Sequence, residues 1–178
     1  MYHQREKIIH HSNVQRSARS GAIALELIVV APVFLMSLFS IIQLGLSLSG
    51  AVVVHQAAVV GAQQGALQGR LNAASLLPGV VAAVNQQLLA AGVTTNPADV
   101  QVIVQERVSD PPVYTGSSGS SGGAFQTVPG ATAIPVDSLQ VTVNVRLSEV
   151  TLDLMSSFGY LITGDYITGT ALRAYNGP

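Results

Sequence analysis

One carboxylate stands inside a long apolar run near the start of this 178-residue chain. The stretch from Arg19 to Pro32 reads R-S-G-A-I-A-L-E-L-I-V-V-A-P, and its acidic residue is Glu26. A charged side chain at the centre of a bilayer costs several kcal/mol, about 2.5–3.5 kcal/mol on insertion scales. Glu26 therefore needs a cationic partner or a position close to the membrane surface.

The spacing between Gly21 and Glu26 offers one chemical use for this carboxylate. A cytoplasmic peptidase that cuts after Gly21 would expose a new amine at Ala22, and Glu26 would become the fifth residue of the processed chain. Positions 1 and 5 lie on the same face of a helix. The Ala22 amine of one subunit can then meet the Glu26 carboxylate of an axially displaced neighbour, which would set the register between subunits.

Two other interpretations of the N-terminus stay open. Residues 1–21 can remain as an uncleaved cytoplasmic tail, with Glu26 reaching the lipid headgroups. Alternatively, the apolar run is a secretory signal that is cut near Gly50, after the small residues Ser47 and Ser49. The length of the run argues against a secretory signal, because the apolar part of such signals is shorter, about 7–15 residues.

The same residues resemble the start of a known family. A basic leader that ends in glycine, a glutamate at the fifth following position and an apolar helix form the pattern of type IV prepilins. Proline six residues after the glutamate, here Pro32, is similar to the TadE/TadG-like pseudopilins of the tight-adherence (Flp) pilus systems. The alanine- and glycine-rich stretch from Ala57 to Ala66 also resembles that family, whereas Leu27 stands where the family usually has an aromatic residue.

The resemblance implies a structural subunit that initiates, primes or anchors a Flp-type pilus or secretion system. It would be cut between Gly21 and Ala22 by a prepilin peptidase and would assemble with other pilins or pseudopilins, with Glu26 as the assembly contact. The expected location is the bacterial inner membrane, with the C-terminal domain periplasmic or extracellular and, after assembly, in the pilus. The alternative is an unprocessed single-pass envelope anchor that presents a small binding domain.

Composition and charge favour a single membrane span. The chain is 48% hydrophobic and 10% charged, whereas soluble proteins average about 25% charged residues. The most apolar window, Leu27–Leu48, has 22 residues, and a helix needs about 20 to cross a bilayer. The first 21 residues carry four cations and one acid, a net charge of +3, so the positive-inside bias predicts a cytoplasmic N-terminus. A basic segment with few aromatics beside an apolar run does not indicate nucleic-acid binding.

Small and polar residues within the helix have their own expected roles. Pro32 is expected to bend the helix, and Gly45 marks a close-contact position in the membrane. The serines of the span can return their hydroxyl hydrogen bonds to the backbone, so only Gln43 needs an outside partner. Gly61, Gly65 and Gly69 form a small-residue stripe, for which three alternatives stay open: packing on a neighbouring subunit, packing on the chain's own domain, or chance.

The predicted fold is α+β. The sequence divides into a basic leader (1–21), a transmembrane and projecting helix (22–70) and a small exported domain (71–178) with a mobile loop at 109–136. In that domain a second helix, with Pro78 in its first turn and Gly92 as its stop, would cover an antiparallel sheet of about three strands. The strands are predicted at Val100–Val108, Leu139–Leu147 and Tyr166–Tyr175, and a short helix at Thr151–Ile162. Leu139–Leu147 alternates without a break, which predicts one buried and one wet face.

No arrangement of residues predicts catalysis. The histidines are His3, His10, His11 and His55, of which three lie in the leader, and the acidic residues of the domain are scattered singly. The chain has no cysteine and none of the common nucleotide-binding or nucleophile motifs. We therefore expect no enzyme activity, no cofactor, no metal and no small-molecule substrate.

Overall fold

The computed structural model describes residues 3–69, 73–93, 96, 99–107, 114–119, 134–152, 154 and 166–175, with side chains from Leu25 onward except residues 73, 74 and 114–117. The fold is α+β, as the sequence predicts, with a long N-terminal helix, a second helix and an antiparallel sheet. In chain order the elements are α1 (His3–Leu67), α2 (Ala73–Ala90), β1 (Val100–Arg107), β2 (Tyr114–Ser118), β3 (Ser138–Arg146), α3 (Leu147–Val150) and β4 (Tyr166–Ala174).

The sheet has four strands in the order β2-β1-β3-β4, and all neighbouring strands are antiparallel. Its extra strand, β2, lies inside the segment 109–136 for which the sequence predicts a loop. Strand pairing uses backbone groups, so a stretch as poor in apolar residues as Y-T-G-S-S can still add to the edge of β1. Apart from residues 114–119 and 134–136, the predicted loop lies outside the described residues.

Backbone contacts group the chain into two compact units, Met1–Ile42 and Gln43–Pro178. The boundary falls inside α1, whereas the sequence groups residues 22–70 as one membrane and projecting helix. The difference has a simple cause: α1 contributes buried residues to the second unit from Gln43 onward, beginning with Gln43 itself and Gly50. The second unit therefore contains the last part of α1, α2, α3 and the sheet.

The core of the second unit lies between the helices and one face of the sheet. Small residues of α1 pack beside an aliphatic stripe of α2 at four-residue spacing, and both meet the valines of β1 and β3. This face carries the residues that the alternating pattern of β3 places inward. The fully buried members of this core include Val54, Ala57, Ala58 and Ala62 of α1, Leu76, Val80, Val84 and Leu88 of α2, and Leu139, Val141, Val143 and Val145 of β3.

Helix α2 ends as predicted but begins earlier. Gly92 adopts a positive φ of 81°, its N–H donates to the Leu89 carbonyl (3.0 Å), and the N–H of Val93 donates to the Leu88 carbonyl (2.9 Å). This is a Schellman end, sealed by the buried side chains of Leu88 and Val93. The placement of Pro78 in the first turn is wrong, because the helix starts at Ala73 and contains Pro78 in its interior.

The second face of the sheet is not wet at its centre. Thr142 and Asn144 of β3 are only 3% and 1% exposed, although the alternating pattern places them outward. Asn144 donates from Nδ2 to Oε1 of Gln101 (3.1 Å) and accepts at Oδ1 from the Thr168 hydroxyl (2.8 Å), which links three strands. Polar side chains that satisfy one another in this way can be buried. The predicted wet face is therefore wrong for these two positions.

The C-terminal part agrees with the sequence in its strand. β4 runs over Tyr166–Ala174, which confirms the predicted last strand. The helix expected at Thr151–Ile162 falls largely outside the described residues, and the chain has a single short turn of helix earlier, at Leu147–Val150.

Candidate membrane-spanning and assembly helix

The first compact unit exposes large apolar side chains along α1. Leu27, Ile28 and Val33 are 68%, 69% and 68% exposed. The most apolar window of this helix has a mean hydropathy of 2.4, and none of it is buried inside the protein. By length and composition, α1 can cross a membrane, and it is near the N-terminus. The described residues include no second helix that meets both conditions.

Three serines of the apolar run satisfy their hydroxyls locally, as predicted. Ser37 donates to the Phe34 carbonyl, Ser40 to the Met36 carbonyl and Ser47 to the Gln43 carbonyl, at 2.8, 2.8 and 2.9 Å. These bonds lie within the helix and remove the cost of placing hydroxyls in an apolar surrounding.

Gln43 has the outside partner that the sequence requires. Its Oε1 accepts a hydrogen bond from the backbone N–H of Leu154 at 3.1 Å, and the residue is 7% exposed. Its Nε2 is buried and meets no hydrogen-bond partner among the described atoms. Sequence reasoning could predict the need for a partner but not that Leu154, far along the chain, supplies it.

Glu26 is exposed in the midst of this apolar surface. The described residues provide it with no hydrogen bond and no ion pair. Gly21 and Ala22 lie in the same helix, although side chains are described only from Leu25 onward. Position 22 and position 26 are one turn apart, about 6 Å along the axis at 1.5 Å per residue. The exposed carboxylate of Glu26 therefore has no hydrogen-bond or ion-pair partner among the described residues.

Pro32 and Gly45 are both accommodated within α1. The helix continues from His3 to Leu67 with Pro32 inside it, and Pro32 is exposed. A β-carbon built on Gly45 would meet nothing within 4 Å beyond the local helix. The room at Gly45 leaves space for close contact with another molecule, and the described residues of this chain do not use it.

The glycine stripe at the end of α1 packs against the chain's own domain. A β-carbon on Gly61 would lie 2.8 Å from Cγ2 of Val84, and one on Gly65 would collide with Cδ2 of Leu139. Gly69 has a different role: its φ of 80° places it in the left-handed region just after the helix ends. Of the three alternatives left open by the sequence, these contacts correspond to packing on the chain's own domain.

Two further glycines mark close approaches that sequence reasoning missed. A β-carbon on Gly169 would lie 2.6 Å from the carbonyl oxygen of Val54, so β4 and α1 touch backbone to backbone there. A β-carbon on Gly50 would lie 2.5 Å from Cγ1 of Val150. A glycine inside a strand pattern, as in I-T-G-T-A, is the signal that could have indicated the first of these contacts.

Charged residues of the second unit form structural pairs. Nη1 of Arg146 lies 3.0 Å from Oδ1 of Asp99, and the Tyr175 hydroxyl donates to Oε1 of Glu106 (2.8 Å), a carboxylate that is 3% exposed. A hydrogen bond to Tyr166 and the negative charge of Asp99 together raise the pKa of Arg146. Within the described ranges, no three histidine or acidic side chains group as metal ligands.

The chain matches no known family model, no curated protein and no solved structure.

Proposed function

We propose that this chain is a structural, minor pseudopilin-like subunit of a type IV (Flp/Tad) pilus assembly or secretion system. The subunit is inserted in the bacterial inner membrane by α1, with a cytoplasmic N-terminus and its C-terminal unit on the outer side. A prepilin peptidase cuts between Gly21 and Ala22 and removes the basic leader. The mature subunit then assembles with other pilins or pseudopilins, and it has no catalytic role.

The observation that carries this proposal is an exposed carboxylate within an exposed apolar helix. Glu26 stands between Leu25 and Leu27, which are 67% and 68% exposed. Such an apolar surface favours lipid or other helices over water. A carboxylate in lipid, in contrast, needs a cation beside it. Assembly inside a membrane meets both requirements, since a neighbour's Ala22 amine supplies the charge and its helix supplies apolar contact.

The pairing also explains why a costly charge would be retained. In the free subunit, a position near the headgroups keeps the Glu26 carboxylate hydrated and avoids most of the free-energy cost of burying its charge in lipid. On assembly the amine and the carboxylate are desolvated together, and only one axial offset between the helices brings them into contact. The charge pair would therefore select the register of the assembly rather than add much to its affinity.

The packing of the later part of α1 supports a helix that is kept in the mature protein. Gln43, which precedes the possible cut near Gly50, is the first residue of the second unit and is only 7% exposed. A cut near Gly50 would remove Gln43 and the hydrogen bond that it accepts from Leu154. That loss argues against the secretory-signal alternative.

The first test is the N-terminal sequence of the protein recovered from its native envelope. We expect a start at Ala22, as the peptidase requires. A start at Met1 would overturn the processing step and favour the unprocessed envelope anchor. A start near Gly50 would show that the apolar run is a signal and would contradict the whole proposal.

The second test separates a pilus subunit from an anchor. Glu26→Gln is expected to leave membrane insertion unchanged and to reduce recovery of cross-linked or sheared assemblies by at least about tenfold, because the neighbour's amine loses its counter-charge. The matched control is Glu149→Gln, the same change in the short helix α3, which should leave assembly unchanged. Normal assembly of Glu26→Gln would contradict the role given to this carboxylate.

A further inference from the structure

The end of α3 and the residues after it contact α1 at two points along the helix axis. Val150, the last residue of α3, packs against Gly50, and Leu154 donates its N–H to the side chain of Gln43. Gly50 and Gln43 are seven residues apart, which is about 10 Å along a helix. Leu154 therefore contacts α1 nearer to its N-terminal end than Val150 does.

The contact at Gln43, which is the nearer of the two to the N-terminus, lies at the end of the most exposed apolar segment. Gln43 is the first residue of the second compact unit and directly follows Leu25–Ile42. Those 18 residues span about 27 Å as a helix, close to the thickness of a bilayer core of about 30 Å. If α1 crosses a membrane there, Gln43 and Leu154 lie at its outer boundary.

Leu152 is the apolar side chain that the loop presents at this height. It is 72% exposed, the highest value among the exposed large apolar residues after Leu67. Its carbonyl accepts from the N–H of Leu154 (3.2 Å), the same N–H that Gln43 binds, so the backbone of Leu152 is held beside α1. Thr151 is buried and bonded to Leu147, which fixes the other side of the leucine.

The uncovered face of α1 remains apolar beyond Gln43. Leu44, Leu48 and Val52, at four-residue spacing, are 62%, 62% and 56% exposed. The exposed positions then become polar at His55 and Gln56. The apolar surface therefore continues from the membrane segment past Gln43 into the headgroup region of the same bilayer and ends near Val52.

We propose that Thr151, Leu152 and Leu154 form a membrane-contact site and that Leu152 inserts into the outer leaflet of the bilayer that α1 crosses. The inference rests on the membrane insertion proposed above and adds a second point of attachment, which orients the domain on the lipid surface. The partner is the lipid itself, through apolar contact. Charge does not drive the contact, because residues 147–154 contain Glu149 and Asp153 and no basic residue.

The test uses the absence of cysteine from the chain. Leu152→Cys in the full chain is labelled with an environment-sensitive fluorophore and reconstituted in phosphatidylcholine vesicles. The label is then quenched either from water, with iodide, or from the bilayer, with lipids that carry a spin label near the headgroup for Leu152→Cys and deep in the acyl chain for the control inside the apolar segment. We expect several-fold weaker quenching by iodide at Leu152→Cys than at a water-exposed control position, together with strong quenching by the lipid.

The control positions separate this proposal from the one on which it rests. Leu172→Cys replaces another exposed leucine, on β4 opposite Gln140 and far from Gln43, and should be quenched by iodide only. Val33→Cys lies in the apolar segment and should be quenched by lipid only. Lipid quenching at Val33→Cys with iodide quenching at Leu152→Cys would overturn the membrane-contact site and leave the span intact. Iodide quenching at both would overturn the span as well.

One more outcome bears on the identity of the partner. Protection of Leu152→Cys from iodide without quenching by the spin-labelled lipid would show that protein covers the leucine. That result would overturn the assignment of lipid as the partner.

Discussion

Helix α1 contains two sections with opposite surroundings. From Leu25 to Ile42 it carries mainly large aliphatic residues and phenylalanine, and these are exposed except for the half-buried Phe39. From Val54 to Gly65 it carries mainly alanine, valine and glycine, and one face is buried against α2 and the sheet. The two sections differ in polarity, since His55 and Gln56 lie on the exposed side of the second one, and also in side-chain size. Small residues let a helix approach other backbone closely, whereas large ones fill space that only lipid or another molecule can occupy here.

One continuous helix can therefore serve two environments. The small-residue section builds the second unit, and the large-residue section offers a surface that the described part of the chain does not cover. Substitutions of the same type at packed positions of the second unit and at uncovered positions of α1 should therefore have unequal effects on the stability of the second unit, and that inequality can be measured.

The largest difference is expected between two leucine truncations. Leu88→Ala removes a fully buried side chain of α2 and should lower the free energy of unfolding by about 3 kcal/mol, through lost burial and a cavity. Leu44→Ala, at a position 62% exposed, should change it by less than about 0.5 kcal/mol in detergent. Urea unfolding of the full chain in micelles, followed by far-ultraviolet circular dichroism, measures both. Equal losses would contradict the assignment of Leu44 to an uncovered surface.

A smaller difference is expected between two glycines. Gly169→Ala places a methyl group against the Val54 carbonyl oxygen and the Cα of His55, and these backbone atoms cannot move aside freely. We expect a loss of about 2 kcal/mol from overpacking. Gly45→Ala has open space and should be neutral or stabilising by up to about 1 kcal/mol, since alanine favours helix. The melting temperatures of the two variants give the comparison, and a destabilised Gly45→Ala would reveal a neighbour that this structure lacks.

The boundary between the two sections can be tested at Gln43. Gln43→Ala removes the acceptor of the Leu154 N–H and should cost about 1 kcal/mol. Ser37→Ala removes a hydroxyl that bonds only within its own helix, so its effect should be close to zero. Hydrogen exchange at the Leu154 amide gives a local readout. Exchange that is unchanged in Gln43→Ala would mean that the loop is held by other contacts.

The smallest effect is expected at the ion pair of the second unit. The pKa of Arg146 is raised by its hydrogen bond to Tyr166 and by the charge of Asp99, so folding favours the charged guanidinium. A raised pKa contributes stability below the ordinary arginine value, and this is lost only as the pH rises through the folded value, in strongly alkaline solution. Arg146→Met should therefore lower stability slightly and equally at about pH 6 and about pH 9. A loss that changed across this range would show that another group titrates with the pair.

The sequence predicted the elements whose patterns are strong and local. The apolar run around Phe34, the alternation of Leu139–Leu147 and the stop at Gly92 depend on neighbours within a few residues, and each gave a correct helix, strand or helix end. The sequence also identified Gln43 as the polar residue of the run that needs a partner. Local patterns failed at β2, where pairing with β1 decides the strand, and at Asn144, where burial follows from cross-strand hydrogen bonds.

The residues of the candidate site also differ in whether the sequence alone could predict their roles. The spacing of Gly21, Ala22, Glu26 and Pro32 is a property of the chain, and it motivates the proposed processing and pairing without reference to any contact. The use of Gly61 and Gly65 depends on which surface meets them, and spacing alone leaves that undecided.

Composition and periodicity are read along the chain, and they were sufficient to predict a long apolar helix with one carboxylate and an α+β domain after it. Three features follow instead from tertiary packing: the helix enters the core of the domain from Gln43 onward, its glycines pack on β3, β4 and α2, and Leu154 satisfies Gln43. These contacts join residues far apart in the chain, and their energies depend on the shape of the packed surfaces, which no local pattern contains.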